Sequence, residues 1–133
     1  MSEKKEIMIV EDEEVLLKLQ SLLLTSRGYE VKGVSSGKMA LTCLAKMRPD
    51  LVVLDISKEE MDVFEVCRQI KSEACTKDLP VIIMSSKNSS EDLAKGEKAG
   101  ADEYITKPFK SSLLVDAIKK LLSASKEPTP CFS

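Results

Sequence analysis

Histidine is absent from these 133 residues, and so is tryptophan. Without histidine there is no imidazole acid or base, no His–metal site and no histidine that could carry its own phosphoryl group. No apolar run approaches the length of a membrane span, and the first one is flanked by Lys4, Lys5 and Glu6, so neither a signal peptide nor a spanning helix is expected. Cation excess is missing too. The net charge of −2 leaves no electrostatic footprint for nucleic acid or an anionic membrane. The cysteines, Cys43, Cys67, Cys75 and Cys131, have no metal-ligand spacing. They read as small buried hydrophobes in a reducing cytosol, with Cys131 a free thiol in a polar tail. A chain this long, 43% hydrophobic and 32% charged, is one soluble globular domain with a core of its own.

The organising stretch is Leu51-Val52-Val53-Leu54-Asp55. Four apolar residues in a row read as a strand buried on both faces. The run stops on a carboxylate, and in open parallel sheets ligands bind at the carboxyl ends of strands. Residues 6–10 form an earlier strand that runs into Glu11-Asp12-Glu13-Glu14. Val15, Leu16, Leu19, Leu22 and Leu23 then recur at helical spacing, closed by Gly28. Glu13 and Glu14 suit a helix N-terminus, whereas Glu11 and Asp12 belong to the strand end. Tyr29 to Val34 is a more polar strand suited to the sheet edge, and the helix with Ala40, Leu41, Leu44 and Met47 closes at Arg48-Pro49-Asp50.

After Asp55 comes a charged loop to Asp62, then a helix with Val63, Val66, Cys67 and Ile70. Pro80 to Met84 is a fourth strand ending on Ser85. Ser89 and Ser90 are cap candidates for a thin helix in which Leu93 is the one large apolar residue and Gly96 costs further stability. Asp102 to Thr106 is a fifth strand ending on Lys107-Pro108, and a last helix carries Leu114, Ala117, Ile118 and Leu121. Residues 1–123 are one domain, and 124–133 read as a disordered tail or linker stub. Five strand–helix alternations predict a flavodoxin-like three-layer α/β/α sandwich, its five-stranded parallel sheet in the order 2-1-3-4-5.

In that order one sheet edge collects Glu11, Asp12, Asp55, Ser85 and Lys107. Carboxylates about 4 Å apart repel by about 4 kcal/mol at an effective dielectric of ~20, so such a pocket calls for a cation. Hard oxygen donors with room for water suit Mg²⁺. Asp55 could then attack phosphorus, with Lys107 and Ser85 meeting the phosphoryl oxygens. No GxGxxG or Walker A pattern offers a nucleotide cradle, and the acidic loop after the first strand repels phosphate.

Together Glu11-Asp12, Leu54-Asp55, Met84-Ser85-Ser86, Gly100-Ala101-Asp102-Glu103-Tyr104 and Lys107-Pro108-Phe109 make the chain resemble a receiver domain of the two-component response regulators over residues 4–123. The resemblance implies a cytoplasmic phosphoacceptor, not an enzyme, though one that promotes its own phosphoryl transfer and dephosphorylation. It implies Asp55 as phosphoacceptor, Asp12 as direct Mg²⁺ ligand, Glu11 as a ligand through water, and the Ser57 backbone carbonyl as a further ligand. Ser85 and Tyr104 become the switch pair and Lys107 the phosphate-binding lysine. The fourth helix, fifth strand and fifth helix become the surface that signals. The implied partners are a histidine kinase or histidine phosphotransfer protein, and a downstream target or missing output domain, with no direct nucleic acid, no membrane, and a monomer or weak dimer. The loop Lys58-Glu59-Glu60-Met61-Asp62-Val63 departs from the family's Met-Pro-x-Met-Asp-Gly, lacking both Pro and Gly. That departure supports the alternative of a phosphorylation-independent interaction module on the same fold.

Overall fold

Strand and helix alternate through the whole chain because each apolar run is too short for a helix and each amphipathic run too long for a strand. The computed structural model describes residues 4–55, 63–108 and 110–124. The elements are β1 (Glu6–Glu11), α1 (Glu14–Ser26), β2 (Glu30–Val34), α2 (Gly37–Leu44), β3 (Leu51–Asp55), α3 (Val63–Ser72), β4 (Val81–Ser85), α4 (Ser90–Lys98), β5 (Glu103–Thr106) and α5 (Ser111–Ala124). The strands form one parallel sheet in the order β2-β1-β3-β4-β5, as expected for a flavodoxin-like sandwich. The chain leaves β1 toward one side and returns on the other, so the topological switch point lies between β1 and β3.

Successive strand residues serve opposite faces. Met8, Val10, Val52, Leu54, Val81 and Ile83 join α2 and α3 in one half of the core. Ile7, Ile9, Leu51, Val53, Ile82 and Met84 join α1 and α5 in the other. Gly28 and Gly100 take positive φ just past α1 and α4, where a side chain would be strained. Ser89 caps α4, with its hydroxyl and the Asp92 carboxylate satisfying each other's backbone N–H in a capping box. Lys71 of α3 ties three segments together. Its ammonium donates to the Leu79 carbonyl and to Asp102, each at 2.7 Å, and Asp102 also accepts the Val81 N–H.

Three expectations need correction. The apolar face of α1 is not the one through Val15, Leu19 and Leu22, which are 62%, 56% and 67% exposed. Leu17, Leu23 and Leu24 face the core, and Gln20 turns inward with them. Leucines crowd this helix on more than one face, so spacing alone does not choose between them. Helix α2 ends at Leu44, with Ala45 as its cap, short of Met47. A residue preceding proline disfavours helix, and the turn closes before Pro49 comes near. Cys75, expected as a reduced thiol, is disulfide-bonded, whereas Cys67 is free and buried and Cys43 free and half-buried. Cys131 and the tail from residue 125 lie outside the described residues.

Candidate functional site

Register places the two central acids together. Glu11 ends β1, Asp55 ends β3, and the two are paired Cα to Cα across the switch point. Each is only 1% exposed. Paired residues on neighbouring strands stand about 4.8 Å apart with their side chains on the same face. Two carboxylates are thus folded against each other, away from water, and the neighbouring groups are those that such a pair requires.

Lys107, just past β5, brings its ammonium to 2.5 Å from Asp55 Oδ1. This is an ion pair, and among the described residues Oδ1 accepts no directed hydrogen bond. Its backbone N–H donates to the Ser85 carbonyl at 2.9 Å, which fixes the lysine beside the end of β4. Gln20 Nε2 donates to Asp55 Oδ2 at 2.8 Å and stands 3.4 Å from Glu11 Oε1. The Glu13 N–H donates to Glu11 Oε2 at 3.1 Å.

These donors do not balance the pair. Burial, followed by the hydrogen bond and charge of Asp55, pushes Glu11 up to about 8, against the pull of the Glu13 amide. Burial and the adjacent carboxylate thus favour the protonated form of Glu11 while no cation is bound. Asp12, half-buried next in the chain, hydrogen-bonds Glu11 and adds a smaller upward push.

A second cluster borders the first. The Ser85 hydroxyl oxygen accepts the Lys87 N–H at 3.0 Å. Tyr104 on β5 donates its hydroxyl to the Lys87 carbonyl at 2.6 Å, and its ring stacks on Phe64 with centroids 6.3 Å apart. Burial raises the Tyr104 phenol above its ordinary range, opposed by a hydrogen bond with Ser85. The ring also lies against α4 where Gly96 has no side chain. A Cβ there would fall 2.6 Å from Tyr104 Cδ2.

Of the residues singled out in the sequence, Glu11, Asp55 and Lys107 are in direct contact. Asp12 adjoins them, and Ser85 and Tyr104 meet through the Lys87 backbone. Ser57 and the loop residues Lys58 to Asp62 lie outside the described residues. Sequence reasoning missed Gln20. The available signal was a lone polar residue one turn from both Leu16 and Leu24, on the inward side of α1.

The donor chemistry fits a hard divalent cation. Carboxylate oxygens from Glu11, Asp12 and Asp55 are the ligands that Mg²⁺ prefers, and the repulsion in the pair is what such an ion relieves. Among the described residues no three acids already surround one point.

Comparison with known proteins bears directly on this arrangement. The response regulator receiver domain family matches residues 7–119. The transcriptional regulatory protein AfsQ1 of Streptomyces coelicolor is 35% identical over 116 residues, 87% of this chain and 50% of AfsQ1. The chain thus spans about half the length of the curated relatives it matches. Among solved structures, the signal receiver domain of a histidine kinase from Syntrophus aciditrophicus superposes with a TM-score of 0.85 at 33% identity, covering 96% of this chain and 99% of that one. The receiver domain of the sensor histidine kinase PA1611 from Pseudomonas aeruginosa, solved with a magnesium ion in its active-site cleft, gives 0.82 at 26% identity, covering 91% and 99%.

Proposed function

The chain belongs to the response regulator receiver domain family, and from that premise we propose that Asp55 accepts a phosphoryl group from a phosphohistidine on a histidine kinase or phosphotransfer protein. The observation that carries this is the Lys107 ammonium 2.5 Å from the Oδ1 of a buried Asp55, which is paired with Glu11 at the switch point of the sheet. An Asp55 oxygen attacks phosphorus as the bond to the donor's imidazole nitrogen breaks, and the leaving nitrogen keeps the electron pair. Lys107 is within reach of the incoming phosphoryl oxygens and offsets their charge. Glu11, Asp12 and the Ser57 carbonyl, with Asp55, would hold Mg²⁺, which would supply positive charge to offset that of the phosphoryl oxygens. The same residues would serve loss of the phosphoryl group to water.

Signalling follows from the Lys87 backbone. Ser85 accepts its N–H and Tyr104 donates to its carbonyl. A Ser85 hydroxyl that turned to a phosphoryl oxygen would release the Lys87 N–H and loosen the loop to which Tyr104 is tied. The face of α4, β5 and α5 then changes for a target protein or for an output domain joined to this one. Residues 1–123 are the receiver unit of this reading, and residues 124–133 its tail or connection.

Intact-protein mass spectrometry after incubation with acetyl phosphate and Mg²⁺ tests it. The wild type gains one alkali-labile phosphoryl group and Asp55→Ala gains none. A folded wild type that stays unmodified, or an equal gain in the variant, overturns the assignment.

A further inference from the structure

Gln20 is an unexpected occupant of its position. It lies on the inward side of α1, among Leu17, Leu23 and Leu24, where the apolar half-core continues up to the sheet edge. Its amide nitrogen reaches Asp55 Oδ2 at 2.8 Å and stands 3.4 Å from Glu11 Oε1, so it lies between the two acids. Its amide oxygen is buried and accepts no hydrogen bond among the described residues. A buried acceptor without a partner is costly, and the amide tolerates it in order to aim its donor at the carboxylates.

We propose that Gln20 is a positioning residue that takes the cation's place between Glu11 and Asp55 in the metal-free protein, and that its amide must be displaced when Mg²⁺ binds. The inference rests on the metal reading given above. An N–H donor and a cation satisfy the same lone pairs, and one carboxylate oxygen cannot give the same direction to both. The amide supplies partial positive charge without a net charge, so it holds the acids weakly enough to be exchanged. It also distinguishes the oxygens of Asp55. With Oδ2 engaged by Gln20 and Oδ1 facing Lys107, the carboxylate is held in one orientation before any ligand arrives. Gln20 thereby sets how much Mg²⁺ the site needs. Removing the amide donor leaves the acids under-satisfied in the metal-free state, and the gap between the two states widens in favour of the ion.

Isothermal titration calorimetry with MgCl₂ on the full chain, wild type against Gln20→Met, is the test. Methionine keeps the unbranched shape and length but has no donor. The expected result is Mg²⁺ bound roughly tenfold more tightly by Gln20→Met, the scale of one hydrogen bond to a charged group. Equal or weaker binding overturns the proposal, weaker binding because it would make Gln20 a ligand. If neither protein binds Mg²⁺, the metal reading itself falls and the inference with it. A second readout needs no core substitution. Side-chain amides occur only at Gln20, Gln69 and Asn88, so Gln69→Ala and Asn88→Ala identify the Gln20 signals in a ¹⁵N spectrum of the folded protein. Saturating Mg²⁺ should move the Gln20 pair and leave the Gln69 pair in place. A Gln20 pair unmoved at saturation refutes displacement whatever the variant does.

Discussion

Replacing Gly96 with alanine should destabilise this protein although alanine is the better helix former. Gly96 is buried in the middle of α4 at an ordinary helical φ, so propensity alone favours Gly96→Ala by about 1 kcal/mol. Against that, the new Cβ falls 2.6 Å from Tyr104 Cδ2 and 3.0 Å from Cε2. The ring cannot retreat freely. Its hydroxyl is bonded to the Lys87 carbonyl at 2.6 Å and its face is stacked on Phe64. Overpacking of this kind costs roughly 1–3 kcal/mol, and giving up the hydroxyl bond costs about 0.5–1.5 kcal/mol more. The net expectation is a loss of about 0.5–3.5 kcal/mol, seen by far-ultraviolet circular dichroism in urea or as a melting temperature lowered by roughly 4 °C per kcal/mol. In a Tyr104→Ala background the obstacle is gone, and the same substitution should stabilise by about 1 kcal/mol. The sign therefore reverses across a double-mutant cycle. Gly96→Ala that stabilises the wild type, or that has the same effect in both backgrounds, refutes the reasoning.

Two further outcomes follow from the same geometry. Lys71→Met should cost about 1–3 kcal/mol in urea unfolding, because the Leu79 carbonyl and the Asp102 carboxylate both lose their donor; a loss below 0.5 kcal/mol, the ~0.5 kcal/mol scale of an ordinary surface substitution, speaks against it. In buffer containing EDTA, stability should fall as pH rises from about 4.5 through about 8. Glu11 is held above its ordinary value in the folded chain, so the stability it confers is complete below the unfolded value and is lost as the carboxyl ionises. The loss should reach the order of a few kcal/mol, and Glu11→Gln should flatten it. A wild-type profile that rises over this interval contradicts the assignment of the proton.

The sequence made the layout legible because each strand is a run of apolar residues with a polar stop. Glu11, Asp55, Ser85 and Lys107 could be read as one edge because each interrupts such a run at the same end. Side-chain identity carries that information. The part Lys87 plays between Ser85 and Tyr104 was not legible because it belongs to its main-chain N–H and carbonyl, which every residue has. The face of α1 was misread because Leu16, Leu17, Leu19, Leu22, Leu23 and Leu24 offer more than one stripe. Gly96 was legible as a weakness of α4, but its cause, the ring of Tyr104, comes from β5 and from no neighbour in sequence.

The placement of the acids and Lys107 at strand ends, outside both halves of the core, separates two kinds of genetic lesion. A substitution such as Leu54→Asp or Ile83→Asp, at fully buried core positions, removes the protein by unfolding and leaves its partners to others. On the function proposed above, a substitution at Asp55 or Lys107 removes the signal while the two halves of the core keep their packing. Such a chain still takes up its place among whatever binds the unmodified surface. In a cell that also holds a working copy, the first kind of allele should be recessive and the second should interfere.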